Sequence, residues 1–184
     1  MTKLIRLILI LFAASTAAPS PAQHGREDRL AAIAWLSGHW TGVGEGRPGS
    51  STSTRHAGRI QSDRFIRVEG RSVYPRQEGN SAGETHSSLD VWSFDRRRNL
   101  LVLRQFDSLG FVSTYVQDRA ASRNGRIVLN SEQFENVPAG WRGRYTYEHP
   151  SANEYRELFE LDTGNGFEPY VANRFLRSDG PPPS

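Results

Sequence analysis

The sequence predicts an all-β fold, an up-and-down antiparallel β-barrel of about ten strands with a short N-terminal helix. Three observations carry that expectation. Strand-like runs follow one another from residue 39 onward, the connections between them are short and rich in turn-forming residues, and no helical stretch separates them. Short connections pair neighbouring strands antiparallel, because a parallel pair needs a crossover of a dozen residues or more. A long meander loses both of its open edges when it closes on itself.

The chain begins like a secretory signal. Lys3 and Arg6 form a basic region, Leu7 to Ala14 an apolar one, and Ser20-Pro21-Ala22 a small-residue cleavage site. The expectation is a signal peptide over 1–22 and one barrel domain over 23–184, secreted or periplasmic, with no membrane span once the signal is cleaved. Removing Lys3 and Arg6 lowers the net charge from +3 to +1. There is no cysteine, hence no disulfide framework and no thiol nucleophile.

Residues 27–37 form the one helical pattern after the signal. Leu30, Ile33, Ala34 and Ser37 share a face, Glu27 and Asp28 sit in the first turn, and Gly38 stops the helix. The first strand, 39–46, is unusual: Trp40 shares one face with Gly42, Gly44 and Gly46. A face bare of side chains lets the strand bend and lets a neighbour or a ligand approach its backbone. Further strands are expected at 51–60, 64–74, 86–94, 100–106, 110–121, 126–135, 141–148, 154–162 and 167–176. Asn124-Gly125 and Asn165-Gly166 are strong hairpin signals, and Asp95 to Asn99 and Pro150 to Asn153 read as slightly longer turns.

Several functional classes find no support in the sequence. The glycines at 42, 44 and 46 miss the dinucleotide fingerprint, since Arg47 stands where the third glycine belongs and Pro48 follows instead of a helix. No two histidines have the short same-face spacing of a zinc site, and no nucleophile-elbow serine is present. Glu132 and Glu135 point to opposite faces of a regular strand, so they cannot flank one bond. The arginines are interspersed with nearly as many acids, and the Arg96-Arg97-Arg98 run reads as a solvated hairpin tip, which argues against nucleic acid as a partner.

Neither face of most strands is purely apolar, as expected when a barrel interior holds water or ligand. With the helix, the Leu36-to-Gly46 stretch, His86 to Asp95, Leu101 to Val112 and Ser131 to Arg142 in view, the chain resembles the nitrobindin-like haem-binding β-barrels. These are relatives of the fatty-acid-binding proteins and lipocalins within the calycin group. The resemblance implies a small hydrophobic or amphipathic ligand, with haem as a specific alternative. It implies an iron-binding histidine near the C-terminal end, yet 170–177 contains none; the histidines are His24, His39, His56, His86 and His149.

The expected pocket wall is Trp40, Trp92, Phe111, Tyr115, Trp141 and Tyr145, with Arg104 or Arg144 turned inward to hold a negative head group. Arg142, Arg156 and Arg174 also fall in strands, where the alternative is an outward position paired with Glu157, Glu160 or Asp162. His86, near Asp90 and Trp92, is the residue an enzyme built on the same cavity would use as a base.

Overall fold

Ten runs of alternating side chains become ten strands, and each turn folds its strand back against the one before. In the computed structural model, which describes residues 27–180, these are β1 (Gly38–Gly46), β2 (Ser51–Ile60), β3 (Phe65–Tyr74), β4 (Glu84–Asp95) and β5 (Leu100–Asp107). They continue as β6 (Val112–Gln117), β7 (Arg126–Glu135), β8 (Arg142–Ser151), β9 (Glu154–Asp162) and β10 (Glu168–Ser178). Every strand pairs antiparallel with its sequence neighbours, and β1 pairs with β10, so the barrel is closed. The expected signal peptide lies outside the described residues. Among the described residues no helix is long and apolar enough to cross a membrane.

The N-terminal element differs from the expected helix over 27–37. It is a 3-10 helix, Ala31–Leu36, preceded by a turn in which Asp28 Oδ1 accepts the Leu30 N–H at 3.0 Å. The reason lies in the spacing of its apolar residues. Leu30, Ile33 and Leu36 recur every third position and are all buried, which suits three residues per turn rather than 3.6. The backbone bonds Ala31 to Asp28, Ile33 to Leu30 and Ser37 to Ala34 keep the same period.

This segment plugs one end of the barrel. Its apolar line packs on Trp40, Ile66, Trp92 and Leu101. Trp40 Nε1 donates to Leu36 O at 2.8 Å. Arg177 on β10 donates to the carbonyls of Ser37 (2.9 Å) and Trp35 (3.1 Å), and its guanidinium lies 4.1 Å from the Trp40 ring centroid. The last strand therefore pins the first element.

Two turns behave as their sequences suggest. Arg123 and Arg126 exchange both backbone bonds at 2.9 Å around Asn124-Gly125, and Asp162 Oδ1 accepts the N–H groups of Gly164 and Gly166 before β10. The expected strand 110–121 is shorter, ending at Gln117, because Asp118 starts a turn by accepting the Ala121 N–H at 3.0 Å. The Arg96–Arg98 run caps a hairpin, with Arg98 paired to Asp95 and Glu132.

The bare face of β1 is filled by its neighbour. A Cβ at Gly42 would stand 2.5 Å from Phe175 Cδ1 and 2.7 Å from Arg174 O; one at Gly44 would stand 2.2 Å from Asn173 Oδ1. The glycines thus make room for inward side chains of β10. Gly42→Ala is expected to destabilise the barrel by about 1–3 kcal/mol through overpacking. The check is a lower urea midpoint at unchanged slope.

Candidate functional site

Register fixes which side chains face the interior. From Trp40, inward positions run through Arg55, Gly70 and Ser88 on β2 to β4, and through Gln105, Ser113 and Tyr115 on β5 and β6. Around the other wall they include Tyr145 and Tyr147 on β8, Tyr155, Glu157 and Phe159 on β9, and Asn173 and Phe175 on β10.

Exposure along these inward rows is graded. Next to the plug the side chains are sealed: Leu103, Leu129 and Phe175 are 0% exposed and Trp92 is 1% exposed. Two residues further from the plug on the same strands, Gln105, Ser131 and Asn173 are half-exposed, as are Asp107, His86 and Val171 beyond them. Solvent therefore enters from the end opposite the plug. Ser51, Ser53, Asp90, Ser113 and Glu157, also inward in this half, are buried, so the end opposite the plug is a partly filled mouth rather than the hollow expected from the sequence.

A polar cluster forms the floor of that mouth. Arg55 Nη2 lies 3.8 Å from Glu157 Oε2, which also accepts from Asn173 Nδ2 at 3.4 Å. Gly70 gives the arginine its path, since a Cβ there would come within 3.1 Å of Arg55 Cδ and Cζ. Gln105 spans the next step: its Nε2 donates to Asp90 Oδ1 at 3.1 Å and its Oε1 accepts from the Tyr145 hydroxyl at 3.3 Å. Tyr145 is also the hub of the aromatic wall, 5.0 Å from Tyr115, 5.6 Å from Tyr147 and 4.8 Å from Phe159 between ring centroids.

Burial sets the acidity of this cluster. It lifts the Asp90 carboxyl to about 7, with Arg55 and the Gln105 hydrogen bond offsetting only part of the effect. It raises Glu157 as well, against the pull of Arg55. The hydroxyls of Tyr115, Tyr145, Tyr147 and Tyr155 are all pushed up by burial, so they remain neutral donors.

The residues expected to form the pocket fall into three places. Tyr145 lines the inner wall as a half-buried residue, whereas Tyr115, 1% exposed, belongs to the sealed core. Trp40 and Trp92, each 1% exposed, belong to the sealed half beside the plug. Phe111 and half-buried Trp141 precede β6 and β8 at the rim of the mouth. Arg104 and Arg144 face outward: Arg104 donates to Ser93 Oγ at 3.2 Å, and Arg144 makes two 2.7 Å bonds to Glu160. Arg142 pairs with Asp162 and both Arg156 and Arg174 with Glu154, also on the outer wall. The inward guanidinium is Arg55, and its partner Glu157 is an acid the sequence had offered to the outer arginines. Asp90, Gln105 and Asn173 were likewise missed as site residues.

A cleft of about 760 Å³ lies elsewhere, between the plug and the turn after β2. Its polar walls are exposed side chains already engaged, Arg59 with Asp28 and Arg29 with Glu27, and it reads as a solvated crevice.

No known protein-family profile matches the chain, and no curated protein matches it. The crystal structure of Rv2717c from M. tuberculosis is similar in three dimensions, with a TM-score of 0.59 at 16% identity, over 82% of this chain and 97% of that one. The likeness is one of fold. It agrees with a calycin-like barrel and carries no ligand with it.

Haem, implied by the earlier resemblance, can be tested against the residues present. β10 has no histidine. The inward histidine at the mouth is His86, whose Nε2 lies 3.0 Å from Glu84 Oε2 and whose ring is 5.1 Å from that of Tyr74. The C-terminal histidine ligand that the resemblance implies therefore has no counterpart on β10.

Proposed function

We propose that this chain is a secreted or periplasmic binding protein that takes a small amphipathic molecule into the open half of its barrel. One observation carries the reading: a charged and amide-rich cluster, largely buried, sits beside the half-buried Gln105, Tyr145 and Phe159 at the end opposite the plug, while the plug half is sealed and apolar. Buried charges oppose folding unless they are well paired, and a barrel needing only a core would fill this half as it fills the other. Tyr145 and Phe159 offer an apolar body its contact surface, with Gln105, Asp90 and Arg55 as polar groups beside it.

Native mass spectrometry of protein purified from its own host, together with titration of the neutral polarity-sensitive dye prodan, tests this. The expected result is a retained small molecule or one-to-one dye uptake with a blue-shifted emission. A bare protein that also leaves the dye spectrum unchanged overturns the reading. A Soret shift on adding stoichiometric haemin would replace it with a haem protein of unforeseen ligation.

A further inference from the structure

Charge is divided unevenly along the barrel axis. The plug segment 27–37, with the strand ends and turns around it (59–64, 95–99, 118–126, 149–153 and 177–180), holds ten arginines against six acids. The rest of the described chain holds ten arginines against fourteen acids. The plug end is thus positive by four charges and the mouth end negative by four.

Pairing sharpens the difference. At the plug end Glu27 is taken by Arg29, Asp28 by Arg59 and Asp95 by Arg98, while Asp118 closes its own turn. Arg64, Arg96, Arg97, Arg119 and Arg123 are exposed and make no ion pair within 4.0 Å among the described residues. Only Asp63 and Asp179 are left over against these five. The turns that carry the five surround the plug: Arg64 and Arg96 border the cleft beside Asp28, and Arg119 and Arg123 lie around Ala32 and Trp35. Inside that ring the surface is uncharged. Ala31 and Ala32 are exposed, and Trp35 is half-buried with its Nε1 satisfied by Ala32 O at 3.0 Å.

From these placements we infer that the plug end is a docking face for an anionic phospholipid bilayer, with the mouth turned away from the membrane. Guanidinium groups match phosphate through paired hydrogen bonds, and an indole ring is at home at the level of lipid headgroups. A second observation selects the same end. The chain before Glu27 joins the barrel at the plug, and it carries Lys3, Arg6 and the apolar run Leu7 to Ala14 that reads as an export signal. The excess acid at the mouth does not oppose docking. Strands of nine residues or more hold the two ends roughly 20 Å or more apart even when tilted, against a screening length of about 8 Å at physiological salt. The inference stands whether or not the mouth takes a ligand.

The test is flotation of the full chain with phosphatidylcholine vesicles, with and without phosphatidylglycerol as about a third of the lipid. The apolar run contributes to both, so the comparison reads charge. Binding to the anionic vesicles is expected to be at least about tenfold stronger. It should fall away between about 0.1 M and 1 M salt, as the screening length drops from about 10 Å to about 3 Å. Each arginine at an anionic surface contributes about fivefold, so Arg96→Gln with Arg97→Gln should cost about twentyfold, as should Arg119→Gln with Arg123→Gln. Arg71→Gln with Arg76→Gln, the same charge change on exposed residues toward the mouth, should cost less than about twofold. Equal binding to both kinds of vesicle, or a mouth-end pair as costly as the plug-end pairs, overturns the docking face. A DNA duplex bound as tightly through the same arginines, or release by inorganic phosphate at constant ionic strength, would put another phosphate ligand in place of the bilayer and overturn it too.

Discussion

Arg55→Met is expected to destabilise the barrel by about 3–5 kcal/mol, because it removes one member of a buried charge group and leaves the others uncompensated. The side chains of Arg55 and Glu157 are 11% and 10% exposed, so water cannot take over the solvation of the remaining carboxylate. The loss is larger than that expected from the Arg156 and Arg174 pairs with Glu154, whose guanidinium groups are more than half exposed to solvent. The double variant Arg55→Met with Glu157→Gln should recover much of it, since neither charge is then buried alone. Urea unfolding of both variants at pH 7 decides the matter. A single variant within about 0.5 kcal/mol of wild type would mean that Glu157 is not held by Arg55.

Asp90→Asn is expected to act in the opposite direction, raising stability by about 2–4 kcal/mol at pH 8. The folded-state value of Asp90 stands near 7, above the ordinary 3.8 of an unfolded aspartate. Between those limits the native state holds more protons than the unfolded chain, so wild-type stability falls as pH rises through that window. Below about pH 4 the carboxyl is protonated in both states and its penalty vanishes. Asparagine keeps the Gln105 contact, loses the charge, and should flatten the profile above pH 4. Thermal melts from pH 4 to 8 read this directly. A variant whose profile runs parallel to wild type would show that Asp90 is not the group responsible. A residue that weakens its own fold at neutral pH is what a binding site retains for its ligand.

The strand order was legible because turn chemistry and alternation act locally. Asn124-Gly125 and the acid-capped loop after Asp162 mark hairpins whatever the rest of the chain does. The side facing inward was harder to read. On β2 the inward set is Ser51, Ser53, Arg55 and Ala57 and the outward set Thr52, Thr54, His56 and Gly58, two faces of similar polarity. Nothing local says which is buried, so Arg55 passed unnoticed. β9 gave a better signal, since Glu157 stands between Tyr155 and Phe159 on one face while Arg156, Leu158 and Glu160 share the other. On β4 the row His86, Ser88, Asp90, Trp92 and Phe94 grows apolar toward the plug, and that gradient marks the open end. Arg104 and Arg144 were offered for the interior because strand position alone carries no orientation; their partners Ser93 and Glu160 hold them outside.

The seam between β1 and β10 sets the order in which this chain can fold. His39 pairs with Ser178, and the plug carbonyls accept from Arg177, so this seam closes only once nearly all of the described strands have been made. Contacts so distant in sequence close slowly. For a protein exported as proposed, that delay keeps the chain threadable until it has crossed, and ring closure follows on the far side.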